Sequence, residues 1–140
     1  MWLYSLYEND IHVNFDILFT NSCSDGQIEF AKWLYSLDKI NIQSSDDLAF
    51  RSSCINGQIE IAKWLYSLDN NIDIHYCKDE TFITCCQIGH LEIAKWLYSL
   101  DNNIDINYCS DIIFTTCFHN YTNYPEVKKW LCSLDNKYKT

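Results

Sequence analysis

Ala-Lys-Trp-Leu-Tyr-Ser-Leu occurs word for word at residues 31–37, 62–68 and 94–100. Shorter copies begin at Trp2 and Trp130, so tryptophans stand at 2, 33, 64, 96 and 130, at spacings of 31, 31, 32 and 34. Other residues keep the same beat. Phe19, Phe50, Phe82 and Phe114 form one series; Asp16, Asp47, Asp79 and Asp111, each three residues before its Phe, form another. Cys23, Cys54 and Cys86 follow their Phe by four residues and Cys117 follows Phe114 by three, while Gly26, Gly57 and Gly89 come three after the first three cysteines. Several marks sharing one period identify a repeat architecture, in which one unit cannot bury its own apolar face and stacked units can.

Each unit reads as two helices. In the second full unit Asp47 is a candidate N-cap, because a carboxylate accepts the free N–H groups of a first turn. Phe50 and Cys54 then share one face of a short helix. Asn56-Gly57 ends it, glycine being suited to the left-handed residue past a helix end. A second helix is predicted from about Ile59 to Leu68, with Ile61, Leu65 and Leu68 as its buried stripe. Glu60, in register with Glu29, Glu92 and Glu126, lies in the first turn, where the helix dipole favours an anion. Asp69-Asn70-Asn71 stops the helix, and Ile72-Asp73-Ile74 alternates like a short extended arm. The expectation is an all-α chain: a half unit at 1–8, then units at about 9–40, 41–72, 73–105 and 106–136.

Asn56-Gly57-Gln58-Ile59-Glu60-Ile61-Ala62-Lys63 and Gly89-His90-Leu91-Glu92-Ile93-Ala94-Lys95 resemble the start of the second helix of the ankyrin repeat, a helix-turn-helix unit of about 33 residues. Phe50 stands where that family has Leu, Ser53-Cys54 where it has an Ala pair, and Gly57 where it has Gly. The resemblance covers nearly the whole chain and implies an ankyrin-like helix-turn-helix solenoid. The family's Thr-Pro-Leu-His start and Asp-Gly hairpin tip are absent, so the inter-repeat loops are expected to be short and irregular. In the last unit, His119 to Tyr124 lengthen the link between the helices, Pro125 suits a helix start, and Lys128, Lys129, Lys137 and Lys139 make a polar terminal cap. The wording also resembles the ankyrin-repeat families of giant DNA viruses of amoebae, with their Asn-, Ile-, Lys- and Tyr-rich repeats.

Charge limits the partners. Ten Lys and Arg stand against nineteen Asp and Glu, a net charge of −9, which does not supply the cationic cluster that a nucleic acid or an anionic membrane surface requires. No apolar run approaches the roughly 18 residues of a membrane span, and Met1 to Leu6 lacks the basic flank of a signal peptide. A soluble chain in the cytoplasm is expected, of a host cell if the viral resemblance holds, with its eight cysteines as free thiols. The per-unit cysteines read as small core residues. Cys77 and Cys109, also one period apart, lack the Cys-x-x-Cys pair that anchors a zinc site. His12, His75, His90 and His119 form no spaced set, and neither a phosphate loop, a nucleophile elbow nor a metalloprotease helix occurs. No cofactor, no metal and no catalysis are expected. The repeated tryptophans read as packing between units, except Trp2, which is expected to be half exposed.

The resemblance implies binding across the concave face of the first helices and the loop tips. Residues there that change from unit to unit are Leu48, Arg51 and Ser52, then Glu80, Ile83 and Thr84, then Ile112 and Thr115; His75, Tyr76 and Tyr108 are the loop tips. Ile83 and Ile112 stand out, being apolar at places expected to face solvent. The leading expectation is a monomeric protein-interaction module that binds a host or viral protein. The alternatives are a truncated or degenerate duplicate without selected function, and a substrate adaptor for a ubiquitin ligase.

Overall fold

The computed structural model describes residues 14–69, 71–120 and 124–134, and of 116–120 the backbone alone. The expectations for the half unit 1–8 with Trp2, for His12, for the Cys117 and His119 side chains, for the lengthened link at 121–123 and for Lys137 and Lys139 lie outside the described residues. Eight helices and no strand occur among the described residues: α1 (Phe15–Ser24), α2 (Ile28–Ser36), α3 (Ser44–Ile55), α4 (Ile59–Leu68), α5 (Tyr76–Gln87), α6 (Leu91–Leu100), α7 (Ile106–Asn120) and α8 (Pro125–Leu134). The chain is all-α.

The even-numbered helices follow directly from the repeated heptapeptide. Ile61, Ala62 and Leu65 are buried in α4, as are Ile93, Ala94 and Leu97 in α6. Glu29, Glu60, Glu92 and Glu126 occupy first turns, where the exposed N–H dipoles favour a negative charge. α1, α3 and α5 close on glycine. Gly57 has φ of 79°, and the Gln58 N–H donates to the Ser53 carbonyl at 2.8 Å beyond it, satisfying an otherwise free helix-end acceptor. The same turn brings unit against unit, since a Cβ at Gly57 would stand 3.1 Å from the His90 ring.

The odd helices lie in a row, α1 on α3, α3 on α5, α5 on α7, and each packs its own even-numbered partner. One apolar core runs through the row: Phe19, Phe50 and Phe82 with Cys23, Cys54, Cys85 and Cys86, flanked by Leu34, Leu65, Leu97 and Leu131. Aromatic rings join the units. Trp64 meets Phe19 at 6.2 Å and Tyr35 at 5.9 Å; Trp96 meets Phe50 at 6.0 Å and Tyr66 at 5.9 Å; Trp130 meets Phe82 at 6.1 Å and Tyr98 at 6.0 Å. Each Tyr–Trp pair is edge-on, 85–87° between planes, the arrangement the ring quadrupoles favour. Trp33, Trp64, Trp96 and Trp130 are half-buried, packed against the core and not within it, and the last three form seams between units.

The repeated aspartates do not cap helices as expected. Asn14 caps α1, its Oδ1 accepting from the Ile17 N–H at 3.1 Å. Asp111 lies inside α7. Asp47 and Asp79 each end a left-handed turn, Ser45-Asp46-Asp47 and Cys77-Lys78-Asp79, all six residues with φ between 50° and 63°. The carboxylates of Asp16 and Asp47 hold incoming loops. Asp16 Oδ1 accepts from the Asn41 N–H at 3.0 Å and Asp47 Oδ2 from the Asp73 N–H at 3.0 Å. A repeated acid at this place therefore ties one unit to the arrival of the next, and the expected capping geometry is given up for it.

Candidate interaction surface

The left-handed turns aim the loop tips. A non-glycine residue in this conformation costs about 1–2 kcal/mol, so each turn needs compensation nearby. In α3 it comes from Arg51, whose Nε donates to the Asp46 carbonyl at 2.8 Å and whose second guanidinium nitrogen donates to the Ser45 carbonyl at 3.1 Å. The same guanidinium lies 4.3 Å from the centre of the Tyr76 ring in the next unit, a cation–π distance. One unit along, Lys78 lies 5.8 Å from the Tyr108 ring. Arg51, Tyr76 and Tyr108, all expected at the surface, thus belong to a ladder in which a cation of one unit covers the tyrosine of the next.

His75 stands at the start of α5 between two carboxylates. Its Nδ1 is 2.5 Å from Asp79 Oδ1 and its Nε2 is 3.3 Å from Asp101 Oδ2, at the end of α6. Partial burial by itself lowers the imidazole pKa. The hydrogen bonds to Asp79 and Asp101, with the two negative charges, outweigh that and hold it above the ordinary histidine value. Asp101 lies below the ordinary carboxylate value, first through the Asn103 backbone N–H that donates to it and then through His75. In the preceding unit Gln43 fills the corresponding place, its Nε2 donating to Asp69 Oδ2 at 2.7 Å. Asp47 Oδ1, buried, has no hydrogen-bond partner; the unit with His75 supplies its Asp79 with one.

The remaining expected residues divide. Leu48, Glu80, Thr115 and Tyr108 are exposed; Ser52, Thr84, Ile112, His75, Tyr76 and Arg51 are half-buried. Ile83 is a correction: it is buried at 8% exposure within the core cluster. Arg51, Ile83 and Thr115 share a register position whose depth changes with the side chain, so variation there does not mean a free surface. Ile112 also packs against the core. Two residues were missed. Ile17, 57% exposed, and Leu18, 38% exposed, lie on α1, and Ile17 shares the register position of Leu48, Glu80 and Ile112. That register was the available signal.

Burial pushes the thiols of Cys23, Cys85 and Cys109 up to about 12. It also raises Cys54 well above its ordinary value, with neighbouring Cys85 adding to the effect. Cys77 is exposed and Cys109 buried, so these two, one period apart, sit in unlike surroundings. Among the described residues no three His, Cys, Asp or Glu side chains gather as metal ligands, and no helix is long and apolar enough to cross a membrane. No family model, no curated protein and no solved structure matches the chain.

Proposed function

We propose that the chain is a non-catalytic, monomeric binding module of the ankyrin type, gripping another protein across the exposed positions of its odd-numbered helices and the loop tips beside them. The observation that carries this reading is the register position 17, 48, 80 and 112. It is occupied by Ile, Leu, Glu and Ile; Ile112 packs against the core, whereas Ile17 and Leu48 stand 57% and 37% exposed. Exposed apolar side chains at one place on two successive units support a contact surface there. Tyr108, at 41% exposure, adds an aromatic of the kind that anchors interfaces. The net charge of −9 favours a basic or neutral protein over a nucleic acid or an anionic membrane. The repeat wording supports a giant-virus setting, with a host or viral partner in the cytoplasm of the infected cell.

The test is crosslinking capture from amoebal lysate with quantitative mass spectrometry. It compares the natural chain with the Ile17→Glu, Leu48→Glu double variant, both first shown to have the same helical circular dichroism and melting temperature. A set of proteins held by the natural chain and released by the variant supports the reading. Identical capture by the two overturns it.

A further inference from the structure

Two corners of the row, one unit apart, share a hydrogen-bond frame. Gln43, Asp47 and Asp69 recur 32 residues later as His75, Asp79 and Asp101. The Gln43 N–H donates to Asn41 Oδ1 at 3.1 Å, and the His75 N–H to Asp73 Oδ1 at 2.9 Å. Asp69 Oδ1 accepts from the Asn71 N–H at 2.8 Å, and Asp101 Oδ1 from the Asn103 N–H at 2.9 Å, so that Oδ2 of each serves the bridging side chain. In the later corner the imidazole meets both carboxylates, Asp79 through Nδ1 and Asp101 through Nε2. In the earlier corner the Gln43 amide reaches only Asp69. Asp47 is 6% exposed; its Oδ2 takes the Asp73 N–H, and its Oδ1 has no hydrogen-bond partner.

We infer that the corner of Gln43, Asp47 and Asp69 is a binding site for a cationic nitrogen group carried by a basic side chain of the bound protein, which bridges the two carboxylates as His75 bridges theirs. A buried carboxylate oxygen without a donor keeps the full cost of lost hydration. Among the described residues neither Asp47 nor Asp69 forms an ion pair. Arg51, the nearest cation in sequence, is engaged by the Ser45 and Asp46 carbonyls and the Tyr76 ring. The missing partner therefore carries positive charge and at least two N–H donors, which imidazolium, guanidinium and ammonium groups all supply. Gln43 is exposed, its side chain held by one hydrogen bond, and Asp69 is half-buried. Turning the amide aside opens the way to Asp47 at the cost of a single surface hydrogen bond. Only the source of the cation rests on the binding-module reading above.

Two salts test the corner. Imidazolium chloride and tetramethylammonium chloride carry the same charge, but only imidazolium has N–H donors. Each is titrated at pH 6 into the carbon-13-labelled natural chain, and the side-chain carboxyl shifts are followed by NMR. Asp47 and Asp69 should move saturably with imidazolium and not with tetramethylammonium. Asp79 and Asp101, already bridged by His75, report general ionic effects. Gln43→His, with unchanged circular dichroism, should lose the response because its own ring fills the place. Equal responses to the two salts, equal responses at the two corners, no response at Asp47, or a response that survives in Gln43→His overturns the assignment. The titration needs no partner, so its result stands whatever the Ile17→Glu, Leu48→Glu variant shows. Crosslinking capture at pH 6 then identifies the source of the cation. Proteins held about 2- to 10-fold less by Gln43→His than by the natural chain, the range of one charge-assisted contact, supply it. Equal capture means that a free cation takes the corner, and overturns a partner side chain as its occupant.

Discussion

At the scale of single residues, the internal repeats act as controls on one another. His75 between Asp79 and Asp101 and Gln43 on Asp69 hold the same place in neighbouring units, and only the imidazole titrates. Its pKa is raised in the folded chain, so its contribution is complete below the unfolded value of about 6.5. That contribution fades as pH climbs through the higher folded value. The imidazole is 36% exposed, and solvent screening keeps the effect below about 1 kcal/mol. Urea midpoints of the natural chain should therefore exceed those of His75→Gln at pH 6 by a margin that shrinks by pH 9; a margin constant over that range would refute the clasp. The cysteines give a second test. A thiolate is the reactive species, and burial holds Cys23, Cys54, Cys85 and Cys109 protonated at pH 8. Peptide mapping after a brief pulse of iodoacetamide should find Cys77 labelled and those four untouched until denaturant is added.

At the scale of the element, the two kinds of helix differed in how much of them the sequence showed. The even-numbered helices were legible almost to the residue: Ile59 to Leu68 was expected and α4 spans Ile59–Leu68, because burial stripe, first-turn acid and the polar residues that follow Leu68 all act locally. The starts of α3 and α5 were not. Asp47 carries the composition of a cap, but its conformation is fixed by groups remote in sequence, the Asp73 N–H above all, and left-handed Ser45, Asp46 and Asp47 carry no glycine to announce them. Ile83 was misplaced for a related reason, since exposure at its register position depends on how neighbouring helices close over it. These turns make an unusual prediction. Glycine inside a right-handed helix costs about 1 kcal/mol relative to alanine. At Asp46, exposed with φ 56°, it should instead relieve about 1 kcal/mol of left-handed strain. Asp46→Gly is expected to melt no lower than the natural chain, while Gly57→Ala, at φ 79° and close to His90, should lose about 1–2 kcal/mol. Differential scanning calorimetry of the two variants reads both.

For the whole molecule, the row of helix pairs makes stability a property of junctions as much as of units. Each junction carries one tryptophan between a phenylalanine and a tyrosine of the unit before it. In an array whose units lean chiefly on neighbours, the position of a weakened junction decides how unfolding divides. Trp96 joins the second and third full units, so Trp96→Ala strikes the middle; Trp130 joins the third and fourth and strikes near one end. Removing either half-buried ring should cost about 2–4 kcal/mol, somewhat less than a fully buried one. The losses should nonetheless look different. Trp96→Ala leaves two short pieces that bury too little apolar surface to stand alone, so the urea transition shifts as a whole and broadens. Trp130→Ala releases α8 first and leaves α1 to α6 packed, so a small early loss of helix precedes a main transition close to the natural one. Far-UV circular dichroism against urea, with hydrogen exchange reporting which helices open first, separates the two. Equal and uniform shifts from both variants would mean that the chain unfolds as one indivisible unit and that the tryptophan junctions do not set its boundaries.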